Sequence, residues 1–335
     1  MATKPVLDFR LKLEVELKNK TDDIRGVTIE DVYGDNTKGL DISFNIEKSY
    51  ENKPTKSTIT LYNISSSLYN LLYKEANAFR LFCARGESAD YVPFYTGFPV
   101  TTVKAAKQTV LTSNEGFMSQ DANAGRRGQN DLETTINLMN YGFAQLDKSY
   151  QSDVNAYLVV QDCINALGLP KGNIDDILES RLLNTLLPKG YTIRGDVSKT
   201  LNNIGNRCGF TWNTNDMQLN MYDKSFQDIK TFGVLLTPYN SSTPERQDDK
   251  FQARTKTIQR ASKKKKIKGI KKTTIEKFDQ GFKVTTQLLP HLMVGSTCFL
   301  RDFGMADAEG DKYIYRIRHV GDNTGTNCYT EIYCV

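Results

Sequence analysis

The sequence feature that most constrains the fold is a two-residue alternation of apolar and polar side chains between Leu40 and Ile64, LDISFNIEKSYENKPTKSTITLYNI. The alternation runs through Ile42–Ile46, stops in a polar break over residues 48–57, and resumes at Ile59. Because successive side chains of a β-strand point to opposite faces, each run buries one face and exposes the other. The stretch therefore predicts a long antiparallel hairpin. Its predicted core residues are Phe44, Ile46, Ile59 and Leu61.

Further short strands surround this hairpin and predict a first β-rich domain over residues 1–150. Ser65–Ser67 after the hairpin is typical of a helix start. The alternating segments are 9–17, 79–84, 91–103 and 132–138. Residues 104–130 lose all periodicity and end in DANAGRRGQN, which contains Arg126 and Arg127. This composition predicts a long exposed loop, with a partner-binding arm as the alternative.

The period changes to that of a helix in residues 151–224, which predict a small α+β domain. Val154–Leu167 repeats at helical spacing and ends before Gly168, a typical C-terminal stop. Residues 173–187 predict a second helix, and Asp196 is a favourable N-cap for a third that ends at Gly209. A hairpin follows, in which Trp212 is expected to be a core aromatic.

Residues 225–335 return to strand patterns and predict a second β domain with a basic insertion at 254–277. The predicted fold class is α+β, mainly β. Two similar small β-barrel domains of the tube type bracket the small α+β domain, as an internal duplication would produce.

The basic insertion concentrates the charge of the chain. The net charge is +5, but residues 254–277 contain eleven Lys or Arg and one Glu, so the rest of the chain carries 10 − 5 = 5 negative charges. Three interpretations stay open: a solvated loop, a DNA or lipid contact through counterion release, and a contact with an acidic neighbour in an assembly. The candidate partner- or channel-contacting residues are Lys263, Lys264, Lys265, Lys266, Lys268, Lys271, Lys272, Arg126 and Arg127.

No pattern of catalytic, metal or cofactor chemistry occurs in the sequence. It contains no phosphate-binding glycine loop, G-x-S-x-G turn or H-E-x-x-H helix, and its six cysteines form no C-x-x-C pair. His319 and Asp322 are interpreted as the end of a strand and its turn. We therefore expect a protein that is not an enzyme, binds no metal or cofactor and has no membrane segment or signal peptide.

Three stretches resemble the baseplate hub family of tailed bacteriophages and related injection machines. They are the hairpin pattern I-x-F-x-I…S-x-I-T-L-Y-N-I-S, residues 281–295 (GFKVTTQLLPHLMVG) and residues 315–335 (YRIRHVGDNTGTNCYTEIYCV). Gly97 and residues 132–140 match two further strands of such hubs. The basic insertion departs from the family pattern, so the family implies no role for it.

The resemblance implies a structural virion protein that is made in the cytoplasm of a host bacterium. It implies a homotrimeric ring that joins a sixfold tail tube to a threefold central spike and leaves a channel for genome ejection. The implied partners are the tail tube or distal tail protein, the spike, the tape measure protein and, transiently, passing DNA. Two alternatives are a nucleic-acid-binding protein that uses the 254–277 arm and a tail-tip cell-wall hydrolase.

Overall fold

The computed structural model describes residues 9–21, 24–30, 42–50, 56–62, 64–85, 90–99, 133–139, 144–174, 176–223, 233–259, 272–322 and 328–335. Strands dominate this part of the chain, which contains four α-helices. The prediction of a mainly β protein is therefore confirmed. No helix in these ranges is long and apolar enough to cross a membrane.

The described residues of the N-terminal part form seven strands and one helix. They are β1 Phe9–Thr21, β2 Ile24–Glu30, β3 Ile42–Ser49, β4 Lys56–Tyr62, α1 Ser66–Glu75, β5 Ala76–Arg85, β6 Val92–Pro99 and β7 Glu133–Met139. The predicted hairpin is β3–β4, paired antiparallel with Phe44 opposite Ile59. All four predicted core residues are buried, with Phe44 3% exposed and Ile46, Ile59 and Leu61 0%.

The middle part alternates short strands with three helices. It contains β8 Gln145–Tyr150, β9 Val154–Asn155, α2 Ala156–Leu167, β10 Lys171–Ile174, α3 Asp176–Asn184, β11 Leu186–Leu187, β12 Tyr191–Asp196, α4 Val197–Cys208, β13 Phe210–Asn213 and β14 Leu219–Asp223. The C-terminal part is again β: β15 Val234–Leu236, β16 Glu245–Gln259, β17 Lys272–Gln287, β18 Thr297–Leu300, β19 Gly310–Asp322 and β20 Tyr329–Cys334.

Helix ends lie where the sequence predicts them. Ser65 and Asp196 are the N-caps of α1 and α4, and each side chain accepts a backbone hydrogen bond. Gly168 and Gly209 adopt the left-handed conformation after α2 and α4, which costs glycine no steric penalty. Trp212 is 1% exposed and donates to Asn202 Oδ1 at 2.9 Å, so the expected core aromatic is confirmed.

Thirteen strands form one sheet in the order β16-β17-β20-β19-β3-β4-β7-β6-β5-β1-β2, with β18 joined to β19 and β15 to β18. Two groups of five strands within it share one arrangement. The first is β3-β4-β7-β6-β5 and the second is β16-β17-β20-β19-β18, and every pairing within both groups is antiparallel. Numbered along the chain, both groups read 1-2-5-4-3. We call them the first and the second five-strand unit.

The sequence predicts two separate barrels, but in the described residues the two units belong to one sheet. β3 of the first unit pairs antiparallel with β19 of the second, so that one sheet runs through both. The order has two ends, β2 and β16, and the described strands therefore close no barrel. The barrel of the first unit stays open because the free edge of β3 forms its backbone hydrogen bonds with β19, a strand distant in the sequence, and not with a strand of its own unit.

Three hydrophobic cores underlie this architecture. The first lies under the N-terminal strands and α1, the second between the helices and strands of the middle part, and the third under the C-terminal strands. The second core collects residues from Ala156 to Met221, including Trp212.

Two elements differ from the prediction because pairing with distant segments overrides the local pattern. The sequence pattern places the segment before Tyr150 in the first β domain, but β8 pairs with β12, and Leu146 and Tyr150 pack on the middle core. The second helix, predicted over 173–187, is shorter. Its two flanks are strands instead, β10 paired with β14 and β11 with β9.

Candidate functional site

The outward face of the continuous sheet is polar along several adjacent strands. In β3, Ser43, Asn45 and Glu47 alternate with buried residues, and in β19 Arg316 and Arg318 alternate with the fully buried Ile317 and His319. These outward residues are nevertheless only half exposed. A shallow depression of about 340 Å³ opens on this face, lined mainly by hydroxyl and amide side chains of β3 and β4 and by Asp322 and Tyr329.

A row of charged side chains crosses four strands of this face and reaches a fifth through the amide of Asn45. Arg318 Nε donates to Asn45 Oδ1 at 2.8 Å, and Arg318 Nη1 lies 3.4 Å from Glu331 Oε2. Lys283 Nζ lies 3.0 Å from Glu331 Oε1 and 3.8 Å from Glu245 Oε2. The row therefore links β3, β19, β20, β17 and β16, and its cations and anions neutralise each other in place.

Glu331 is the centre of the row. Its side chain is 8% exposed, and the Tyr333 hydroxyl donates to Oε2 at 3.2 Å. Burial raises the pKa of this carboxyl, but the Lys283 ammonium and Arg318 guanidinium outweigh burial and hold the pKa below its ordinary value. Arg316 stacks over the Tyr333 ring at 3.7 Å. Two cations, Lys283 and Arg318, and two anions, Glu331 and Glu245, therefore balance each other along the row.

A second polar cluster lies where the middle part meets the sheet. Lys48 Nζ donates to Asp216 Oδ2 at 2.7 Å, although the Lys48 side chain is only 6% exposed. The backbone carbonyl of Ser49 accepts from Asn213 Nδ2 at 2.8 Å and from Asn215 Nδ2 at 3.1 Å. The turn after β13 therefore docks on the end of β3 through one ion pair and two hydrogen bonds.

Tyrosine rings complete this junction. The Tyr50 ring lies 5.4 Å from that of Tyr222 and 5.6 Å from that of Tyr313, centroid to centroid. Tyr50 directly follows β3, and Tyr222 and Tyr313 lie near the end of β14 and the start of β19, so the three parts of the chain meet at one point. The sequence assigned Lys48 to the polar break of the hairpin; β3 instead extends to Ser49, and Lys48 lies on its inward side.

His319 is a structural residue inside the sheet rather than the end of a strand. It is fully buried in β19, its Nδ1 lies 3.0 Å from Thr330 Oγ1, and Nε2 has no hydrogen-bond partner within the described residues. Burial, aided by the nearby Lys48 charge, lowers the pKa of His319 to about 3. Its interaction with Thr330, instead of Asp322, leaves no base–orienter pair at this position.

The predicted contact residues lie mostly outside the described part of the chain. This holds for Arg126, Arg127 and the whole 104–130 loop, and for Lys263 to Lys268 and Lys271. Lys272 is the first residue of β17. The two ends of the basic segment are paired strands, with Arg254 opposite Lys277 and Gln259 opposite Lys272.

The described ranges give little support to a metal site or a disulfide-based site. No group of three His, Cys, Asp or Glu residues there is arranged to hold a metal ion, and the six cysteines are all buried and form no disulfide. The sequence reasoning missed the charged row and the Lys48–Asp216 pair. The sequence did contain a signal for the charged row, because Arg316, Arg318 and Glu331 occupy the outward positions of predicted strands.

Comparison with solved structures relates this architecture to phage tails. The 43 kDa tail protein of prophage MuSo2 from Shewanella oneidensis superposes with a TM-score of 0.55 at 9% identity, covering 97% of this chain and 96% of that one. A tail protein from Neisseria meningitidis superposes with a TM-score of 0.52 at 10% identity, covering 97% and 96%. The chain has the fold of these tail proteins.

A chain of the Francisella PdpA–VgrG complex shares the fold as well, with a TM-score of 0.56 at 10% identity over 99% of this chain and 58% of that one. No family model and no curated protein matches the sequence. The resemblance in the sequence is thus confirmed as a likeness of fold to proteins of phage tails and related machines.

Proposed function

We propose that this tail-protein fold serves as a structural component of a phage tail, located at the baseplate of the virion and made in the cytoplasm of the host bacterium. The observation that carries the proposal is the likeness to a prophage tail protein along nearly the full length of both chains. The charged row supports a structural role rather than an enzymatic one, because Arg318, Glu331, Lys283 and Glu245 are paired with one another.

Within the baseplate, we propose the hub position. The shared 1-2-5-4-3 strand order supports an interpretation of the two five-strand units as two similar tube-type domains, one ahead of β8 and one over residues 225–335, that bracket an α+β domain running from β8 to residue 224. Three chains then supply six similar units. Such a trimer meets a threefold central spike on one side and a sixfold tail tube or distal tail protein on the other, around a channel for genome ejection.

The same proposal covers the remaining partners. The similar Francisella chain comes from a complex of two proteins, which supports a role in an assembly. The tape measure protein and the passing DNA occupy the channel, and the lysines of the basic segment, with Arg126 and Arg127, contact an acidic neighbour or that DNA. A transient contact between these cations and the DNA is expected in a channel, because tight binding would hold the genome back during ejection.

Light scattering after size-exclusion chromatography tests the ring. We expect a species of about three times the monomer mass of 37.9 kDa, and a ring with sixfold outline and threefold symmetry in electron micrographs. Antibody labelling should place the protein at the distal end of the tail. A monomer at every concentration that is absent from purified particles contradicts the proposal. A monomer whose DNA affinity falls steeply with salt indicates a nucleic-acid-binding protein instead.

A further inference from the structure

The joint between the first five-strand unit and the middle part contains buried polar groups instead of a shared apolar core. The hydrophobic residues of the two parts form separate clusters. Between these clusters, β6 lies against the turn at Asn215–Met217, and the end of β3 is held by Lys48 and the Ser49 carbonyl. Because buried polar atoms in proteins almost always have hydrogen-bond partners, an atom without one at this joint indicates a ligand.

Two complementary atoms at the joint have no partner within the described residues, and the first is the Tyr95 hydroxyl of β6. Tyr95 is only 2% exposed. Burial raises the pKa of this hydroxyl above its ordinary value, an effect that the Ser57 hydroxyl opposes and the Asp216 charge increases. The hydroxyl therefore stays protonated and is a donor in need of an acceptor. Gly97 leaves room for it, because a Cβ at that position would collide with the Tyr95 oxygen.

The second atom is Oδ1 of Asp216, in the turn that faces β6. Asp216 Oδ2 accepts from Lys48 Nζ at 2.7 Å, whereas Oδ1 is buried and has no donor among the described residues. The Asp216 charge acts on Tyr95, so the carboxylate and the hydroxyl lie near each other, yet they form no direct hydrogen bond. A donor and an acceptor that lie close together without touching are typically bridged by water.

We propose that a buried water molecule accepts from the Tyr95 hydroxyl and donates to Asp216 Oδ1, and so links β6 to the turn after β13. Buried waters make about three hydrogen bonds, and the fully buried Ser57 hydroxyl beside Tyr95 is positioned to supply the third. A neutral ligand suits the site because Lys48 already balances the charge of Asp216. The link lies within one chain and does not depend on the proposed hub function.

A crystal structure of the full-length wild-type protein, at a resolution that shows ordered water, tests the bridge directly. We expect a water oxygen about 2.5–3.0 Å from both the Tyr95 hydroxyl and Asp216 Oδ1. The same structure of Tyr95→Phe should lack this water or show it displaced. A direct hydrogen bond between Tyr95 and Asp216, or a Tyr95 hydroxyl bonded to Ser57 alone, overturns the proposal.

A double-mutant cycle measures the energetic link between the two residues. Asp216→Gly removes the carboxylate and keeps the backbone, because glycine adopts the positive φ of this position without strain. Tyr95→Phe should lower the equilibrium constant of folding roughly 5–30-fold in the wild-type background, since it breaks a buried bridge. In the Asp216→Gly background the same substitution should cost less than about threefold, because the bridge is already lost.

Tyr150→Phe is the matched control for the cycle. Tyr150 donates to Asp162 Oδ2 at 2.6 Å and is expected to act independently of Asp216. Its loss should therefore be the same factor in both backgrounds. A Tyr95→Phe variant as stable as wild type, or one with equal losses in both backgrounds, overturns the bridge. The crystallographic test on the wild-type chain decides the question even where a variant does not fold.

Discussion

At the scale of single residues, the Lys48–Asp216 ion pair is one of the contacts that join the middle part to the sheet. Asp216 adopts a left-handed conformation (φ 56°), which asparagine tolerates equally well, so Asp216→Asn removes the charge with little backbone strain. Lys48 is then buried without its counterion. Because Asp216 is 35% exposed and water replaces part of the contact, we expect a loss of about 1–3 kcal/mol in the free energy of unfolding measured in urea.

The exposed pair Lys171–Glu179 provides the matched control for this prediction. Its nitrogen and oxygen lie 3.0 Å apart, but the two side chains are 41% and 29% exposed. Glu179→Gln should therefore cost less than about 1 kcal/mol. Equal losses at the two sites would show that the junction pair behaves as a surface salt bridge.

The buried imidazole of His319 predicts a pH dependence of stability. Its pKa is near 6.5 in the unfolded chain and about 3 in the folded protein. The unfolded state therefore binds the proton first as the pH falls. The contribution of neutral His319 is fully present above about pH 6.5 and is lost toward pH 3, with a slope approaching about 1.4 kcal/mol per pH unit. Urea titrations of wild type and His319→Gln should differ in this slope, and parallel curves would contradict it.

At the scale of elements, the cap of α4 is a defined source of stability for the middle core. Asp196 accepts from the backbone N–H of Ser198 at 2.9 Å, and the helix that follows buries Val197, Leu201 and Ile204. Asp196→Ala should cost about 0.5–2 kcal/mol, whereas Asp196→Asn should retain most of the cap. Thermal melts followed by circular dichroism measure both variants. An alanine variant as stable as the asparagine variant would mean that the cap contributes nothing.

Some elements of this chain depend only on adjacent residues and could be predicted from the sequence, and others depend on pairing with distant segments. The β3–β4 hairpin, the caps Ser65 and Asp196 and the glycine stops could be predicted, because alternation, side-chain caps and left-handed turns depend on adjacent residues. The β3–β19 pairing could not be predicted. It brings Asn45 to Arg318 across 273 residues. The alternation pattern predicts which face of the sheet a side chain lies on, but not which strand lies beside it. The reassignment of β8 to the middle part has the same origin.

At the scale of the whole molecule, the two five-strand units support the duplication that the sequence only suggested. No sequence repeat relates β3–β7 to β16–β20, yet their strand orders coincide. Two units can share a strand order without a visible sequence repeat, because a strand requires only that apolar and polar residues alternate. Many different apolar residues can fill the same buried positions. The candidate contact residues of the lysine run and the 104–130 loop lie outside the described residues and stay predictions.

The lysine run itself yields a prediction for assembly. Burying several unpaired cations is prohibitively costly, so Lys263 to Lys266 are expected to contribute to contacts between molecules and not to the core. Replacing all four with serine should leave the melting temperature nearly unchanged but weaken assembly into tails or genome ejection. The deficit should be largest at low ionic strength, because salt also screens the wild-type contact. A variant with four arginines keeps the charge and should behave as wild type. Unfolding of the serine variant would assign the run to the core, and unchanged infectivity would identify it as a solvated segment.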